Sequence, residues 1–220
     1  MRAVLCLALV GLPALLAGCN SGRPDEDASN SKATGTTLKI LIDVQEPFKS
    51  TGVLNSASQN RAFTVGYGKY GISCENTAFT EGMTPLGKFR VNAIMGEDRF
   101  EMEPSLVKKS GKSSDYLKEN LFGNMSAIDF KGDGRTGEYG KGYISLAPLG
   151  STVQPFEFNE YAGKFRWYSF AIHGTNDEKR VGQKITGGCL NVAASDLDVL
   201  LETVQLGDVV EVTANGPCDV

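Results

Sequence analysis

The chain contains one histidine, one tryptophan and only eight prolines in 220 residues, and its Lys and Arg side chains form no cluster interleaved with aromatics. A single histidine with one free cysteine cannot close a tetrahedral metal site, so no metal or other cofactor is expected. With a formal net charge of −4 and scattered cations, nothing offers a nucleic acid an electrostatic footprint. The apolar run Ala3 to Leu16 falls short of the roughly 20 residues that a membrane-crossing helix needs. Internal repeats are absent. The composition, 41% hydrophobic and 22% charged, is neither that of a disordered chain nor that of a fibrous one, and the length suits one well-buried domain.

Against that sparse background the stretch from Ile172 to Asn191 stands out. It opens Ile172-His173-Gly174-Thr175-Asn176 and closes Thr186-Gly187-Gly188-Cys189-Leu190-Asn191, so the sole histidine lies sixteen positions before a cysteine preceded by two glycines. A thiol becomes a strong nucleophile when an imidazole takes its proton. Glycines beside it let backbone N–H groups approach a developing oxyanion with no Cβ in the way. The apolar run Trp167 to Ile172 predicts one buried strand that ends at His173. After Cys189, Ser195 is placed to cap a helix with Asp198 three positions on, and Leu197, Leu200, Leu201 and Val204 fall on one helical face. From these residues alone a core cysteine and an unrelated surface histidine remain the alternative.

The rest of the chain predicts mostly short strands. Leu38 to Val44, Arg61 to Tyr67, Phe89 to Ile94, Gly142 to Ala147 and Val209 to Thr213 are β-rich, and the span Pro148 to Gly163 is expected to be loop. Glu97 to Lys141 is the least strand-like part, with a short helix over Ser114 to Phe122 and a choice between a lid and a surface excursion. Two motifs in it fail. Ser110-Gly111-Lys112-Ser113 lacks the upstream glycine of a phosphate loop, and the calcium-like spacing from Asp129 has Lys131 where an oxygen ligand is needed.

The order His-Gly-Thr followed by Thr-Gly-Gly-Cys-Leu-Asn resembles the signature of the L,D-transpeptidase (YkuD-like) catalytic domain, and Thr84-Pro85-Leu86-Gly87-Lys88-Phe89 resembles a second segment of that family. The likeness runs from about Leu38 to Thr213. It implies a mostly β fold, a β-sandwich or barrel of the L,D-transpeptidase type, with one helix after the cysteine and an inserted lid-like segment. It further implies that Cys189 attacks a peptidoglycan stem tetrapeptide, that His173 is the base, and that the Gly174 carbonyl orients the imidazole. Gly188 and Cys189 would supply the oxyanion N–H groups. Thr186, Gly187, Asn191, Tyr143 and Trp167 would line the substrate groove. Such a thiol, if activated, should react with alkylating probes around neutral pH. The acceptor would be an amine of a second stem (a 3→3 cross-link), water (a hydrolase or carboxypeptidase), or a lysine of a wall-attached protein; a non-catalytic wall-binding role is the remaining alternative. Gly187 and Asn191 stand where many members carry histidine and arginine.

Met1-Arg2, the apolar run and Leu16-Ala17-Gly18-Cys19 resemble a bacterial lipoprotein signal. The likeness implies cleavage after residue 18, lipid on Cys19 as a membrane anchor, and Asn20 suits the outer membrane; an ordinary secretory signal is the alternative. Residues 19–37, rich in Ser, Asp, Asn, Gly and Thr, are expected to be a tether to a catalytic domain over 38–220. In an oxidising envelope, if Cys189 stays free, the internal pair left for a disulfide is Cys74 with Cys218, with two unpaired thiols as the alternative.

Overall fold

The computed structural model describes residues 35–150 and 154–218, all of them within the unit Lys32–Val220. The expected signal segment, the expected lipid attachment at Cys19 and nearly all of the expected tether lie outside the described residues.

The first strand shows why a sheet forms. In β1 (Thr37–Ile42), Leu38, Ile40 and Ile42 face inward while Thr37, Lys39 and Leu41 face out, the period-2 pattern of a half-buried strand. An antiparallel meander follows through β2 (Thr51–Asn55) and β3 (Asn60–Thr64). Short pieces come next: β4 (Tyr67–Gly68), β5 (Gly71–Ser73) and β6 (Met83–Pro85). The long strand β7 (Gly87–Gly96) turns into β8 (Phe100–Met102), and after the insertion come β9 (Gly142–Pro148), β10 (Glu157–Tyr161), β11 (Lys164–Tyr168) and β12 (Phe170–His173). Then β13 (Lys184–Thr186), β14 (Leu190–Asn191) and β15 (Val209–Ala214) complete the strands.

The main sheet runs β14-β12-β9-β7-β15-β1-β2-β3, with β8 added to β7. Its ends meet. Just past β3, Gly66 exchanges two backbone hydrogen bonds with Asn191 of β14, at 2.9 and 3.1 Å, so the sheet curls until its edges join. A side chain on residue 66 would collide with the Asn191 amide, which is why glycine occupies the closure point. The fold is therefore mostly β and barrel-like, of the kind the sequence predicts.

Helices differ more from expectation. The insertion holds α1 (Pro104–Ser110) and α2 (Ser114–Ser126), the second capped by the Ser113 hydroxyl and burying Leu117, Leu121, Phe122 and Met125. At about 1.5–3 kcal/mol for each fully buried large apolar side chain, that face holds α2 on the domain. The helix after Cys189, α3 (Ala194–Thr203), has Ala193 at its N-cap, so Ser195 lies inside the first turn and does not cap it. Glu178 does that work from another segment, its carboxylate accepting from the Ala194 N–H at 2.9 Å. Instead of one strand over 167–172, Trp167 ends up in β11 and Ile172 in β12, in different sheets broken at Ser169. Apolar continuity cannot report such a break. The expected loop 148–163 contains β10, which hairpins with β11.

Cys74 and Cys218 are joined by a disulfide that closes a sequence separation of 144 residues and ties the C-terminal tail to the body. In the chain-entropy view a loop that long stabilises by about 3–5 kcal/mol. Cys218→Ser is therefore expected to lower the urea midpoint by a large fraction of a typical domain's stability while leaving the fold intact below it; an unchanged midpoint would show that the bridge contributes nothing.

Candidate active site

The barrel topology brings the two ends of the His173 to Asn191 segment together. β12 and β14 are parallel neighbours, and His173 is in register with Asn191. Residues in register share a face, and Cys189 immediately precedes β14. All three line one cavity of about 280 Å³.

The cysteine loop is held by a buried hydroxyl. Thr84, from the Thr-Pro segment, donates to the Gly188 carbonyl at 2.7 Å and accepts from the Gly68 N–H at 2.9 Å. Gly188 itself has a φ of +123°, and a Cβ there would sit 2.7 Å from the Met83 carbonyl, so the tight turn before the sulfur needs glycine. Thr186 closes the other side by donating to the Cys189 carbonyl at 2.5 Å and accepting from the Gly188 N–H at 3.2 Å. That contact engages the Gly188 N–H, one of the two expected oxyanion donors. Gly187 is exposed, with open space around its Cβ position.

His173 is buried against Tyr139, edge-on at 4.9 Å between ring centres, and parallel to Tyr143 at 6.1 Å. Its Nδ1 lies 2.6 Å from the Gly174 carbonyl. A carbonyl can only accept, so the proton is on Nδ1 and Nε2 carries the free lone pair. The Cys189 thiol is half-buried and donates to the Ser169 carbonyl at 3.6 Å.

Beneath the thiol runs a buried polar chain. Trp167 Nε1 donates to Ser145 Oγ at 2.8 Å, Ser145 Oγ meets Ser169 Oγ at 2.9 Å, and Tyr143 donates to the Ser169 carbonyl at 2.9 Å. Tyr143 and Trp167 are 1% and 3% exposed with their polar atoms committed to this chain. Both line the cavity, as do Thr186, Gly187 and Asn191, and their polar atoms brace its wall. Ser145, Ser169 and Tyr139 carry no motif signal and enter the site only through the three-dimensional fold.

Burial sets the charge states. It drives the His173 imidazole down to about 4, with the Gly174 carbonyl opposing and the nearby Arg180 charge reinforcing the shift. It drives the Cys189 thiol up to about 12, although the Ala171 N–H and the Tyr143 hydroxyl would hydrogen-bond a thiolate. Both shifts favour a thiol beside a neutral imidazole at neutral pH, the pair in which the imidazole is free to take the thiol proton. Alkylation of Cys189 by iodoacetamide should be slow at pH 7 and rise about tenfold per pH unit into the alkaline range, because the thiolate fraction controls it. A rate plateau with a midpoint near neutrality would instead report a thiolate–imidazolium pair. The sign for folding follows. Between about 6.5 and about 4 the unfolded imidazole binds a proton that the folded one refuses, so this group costs stability as pH falls through that window.

Among the described residues no group of three or more His, Cys, Asp or Glu side chains could hold a metal ion. Cys74 and Cys218 do not line the cavity.

The mostly β, barrel-like fold thus presents one cysteine and one histidine to a common cavity. The chain belongs to the YkuD L,D-transpeptidase catalytic domain family, whose model matches residues 39–212. Among solved structures, it is similar to an L,D-transpeptidase from Mycobacterium tuberculosis H37Rv at 12% identity, covering 81% of this chain and 58% of that one with a TM-score of 0.42. Similar too is L,D-transpeptidase 3 from Mycobacterium tuberculosis with a faropenem-derived adduct, at 12% identity, 81% and 61% coverage and a TM-score of 0.43. The helical cell shape determining protein Pgp2 from Campylobacter jejuni matches at 10% identity, 84% and 49% coverage and a TM-score of 0.39. This chain spans about six tenths of the length of the first two. No curated protein matches it in sequence.

Proposed function

We propose that this protein is a peptidoglycan L,D-transpeptidase that uses Cys189 as nucleophile and His173 as base. The observation that carries the reading is the shared cavity in which a half-buried thiol and a neutral imidazole with its Nδ1 proton fixed by Gly174 face the same space. His173 Nε2 takes the thiol proton as Cys189 Sγ bonds to the carbonyl carbon of the third residue of a stem tetrapeptide. The Cys189 N–H supports the oxyanion, joined by the Gly188 N–H when the Thr186 hydroxyl turns away. The imidazolium then protonates the departing D-alanine amine as the C–N bond breaks, leaving a thioester. In the second half, Nε2 accepts a proton from an acceptor amine that attacks the thioester, the C–S bond breaks and the thiol is restored. A second stem as acceptor gives a 3→3 cross-link.

Lipid on Cys19 would hold the domain at an envelope membrane, the outer one on the strength of Asn20, with stem peptides in reach. Incubation of the purified protein with disaccharide-tetrapeptides tests the reaction. A rise in 3→3 dimers together with free D-alanine supports it. Tripeptide without dimer would make the enzyme a carboxypeptidase, and no change in any muropeptide would leave a non-catalytic wall-binding lipoprotein.

A further inference from the structure

The polar chain beneath the thiol has a direction. Trp167, Ser145, Ser169 and Tyr143 are each at most 4% exposed, and each finds a hydrogen-bond partner. An indole N–H can only donate. Ser145 Oγ accepts it at 2.8 Å, which leaves the one Ser145 proton for Ser169 Oγ at 2.9 Å. Ser169 Oγ, an acceptor there, has its own proton for the Tyr143 oxygen at 3.1 Å. The Tyr143 proton is thus left over at the end of the run, and the acceptors it meets are the Ser169 carbonyl at 2.9 Å and the Cys189 sulfur. The thiol donates to that same carbonyl at 3.6 Å.

The strands hold this arrangement. β9 places Tyr143 and Ser145 two positions apart on one face, in register with His173 and Ala171 of β12. Ser169 lies in the gap between β11 and β12 and gives its carbonyl to the phenol and the thiol. Burial raises the Tyr143 hydroxyl well above the usual phenol range, so it stays a donor and does not ionise.

The charged groups around the sulfur are engaged elsewhere. Glu81, on the loop before β6, acts on the thiol and opposes its ionisation, while Tyr139 of the insertion and Tyr168 of β11 are themselves raised. Arg180 faces His173 and pairs at 3.3 Å with Glu138, whose second oxygen lies 3.4 Å from Lys131; Arg180 and Glu138 are both largely buried. Arg166 donates to Asn159 and lies over the Tyr161 and Tyr168 rings, and Lys69 lies over Tyr70. The donors acting on a Cys189 thiolate are the Ala171 N–H and the Tyr143 hydroxyl.

We propose that Trp167, Ser145, Ser169 and Tyr143 form a one-way relay of hydrogen bonds that keeps the Tyr143 O–H available to the Cys189 sulfur. When His173 Nε2 takes the thiol proton, the bond from sulfur to the Ser169 carbonyl is lost, and Tyr143, keeping its own proton, turns it from that carbonyl to the new thiolate. Tyr143 touches the reacting atom; Trp167, Ser145 and Ser169 are positioning residues that act through it. The inference rests on Cys189 as the nucleophile and adds what stabilises its anion in a buried setting. Without the Ser145 hydroxyl, Ser169 Oγ is free to accept from Tyr143, and the phenol proton settles there.

Alkylation of Cys189, mapped by mass spectrometry over about pH 8 to 10, tests this in wild type, Tyr143→Phe, Ser145→Ala and the double variant. A hydrogen bond to an ionised group changes the thiolate fraction about 10- to 100-fold, and the greater nucleophilicity of a less acidic thiolate returns part of that. Tyr143→Phe is therefore expected to react about 3- to 10-fold more slowly than wild type across this range. The factor should be the same for iodoacetamide and the bulkier N-ethylmaleimide, because a thiolate fraction is common to both whereas altered access depends on reagent size. Ser145→Ala should be about 2- to 3-fold slower, and the double variant no slower than Tyr143→Phe, since Ser145 acts through the phenol. Thermal unfolding of the same preparations monitors the fold; if Tyr143→Phe does not fold, the smaller change Ser145→Ala decides. A merely structural run would lower the unfolding temperature and leave alkylation at the wild-type rate, which overturns the proposal, as would a size-dependent loss, a wild-type rate in Ser145→Ala, or additive losses in the double variant. No stem peptide is involved, so these outcomes are separate from the success or failure of the transpeptidase reading.

Discussion

Cys189→Ala is expected to reduce 3→3 dimer formation and D-alanine release to background, a loss of at least about 10⁴-fold, because without the sulfur no covalent intermediate can split the reaction into two easier steps. The fold should survive the change. The side chain is half-buried, its recorded partner is the Ser169 carbonyl at a long 3.6 Å, and that carbonyl still accepts from Tyr143 at 2.9 Å. Stability should then change by no more than about 1 kcal/mol, the scale for trimming a small group that leaves little cavity. Dimer quantification by chromatography and thermal unfolding of the same preparation separate the two effects. Turnover that persists in a folded Cys189→Ala protein would exclude this residue as the nucleophile.

His173→Gln should cost about 10²- to 10⁴-fold in acylation rate, the range for removing a general base. The thiol starts protonated, and without Nε2 the imidazole that would take its proton as the S–C bond forms is gone. A second readout tells this base role from an electrostatic one. Burial is the chief cause of the raised thiol, and the other groups acting on it are Ala171, Tyr143 and Glu81. Iodoacetamide alkylation of Cys189 in the His173→Gln protein should accordingly follow the wild-type pH profile. A profile displaced to higher pH would mean that the imidazole stabilises a thiolate, and the neutral-pair description would fail.

What could be read before the structure was the part that local chemistry writes into the chain. Alternation in Leu38-Lys39-Ile40-Leu41-Ile42 marks β1, and Gly188 before Cys189 marks a turn that needs glycine. His173 stands out as the sole histidine and Cys189 by the two glycines before it, and the fold sets both on one cavity. Arg180 and Glu138 carried no such signal. They are 42 positions apart in segments of mixed polarity, and charged residues in loops are ordinarily solvated. Their burial comes from the way the insertion folds back on the loop after β12, which is tertiary information. Ser195 illustrates the opposite error. It has the right residue type two positions too late, and the carboxylate of Glu178, 16 residues before Ala194, caps the Ala194 N–H instead. Tyr143 and Trp167 line the site, and Ser145 and Ser169, whose hydroxyls engage their polar ends, carried no motif signal.

The most direct measurement is the mass and location of the adduct formed when the purified protein meets a stem tetrapeptide under acidic quench. The thiol and the imidazole sharing one cavity predict an added mass equal to the tetrapeptide less D-alanine, found after proteolysis on the peptide that contains Cys189 and released by hydroxylamine as a thioester. An adduct on any other residue, or full turnover with no adduct trapped at any time, would contradict it.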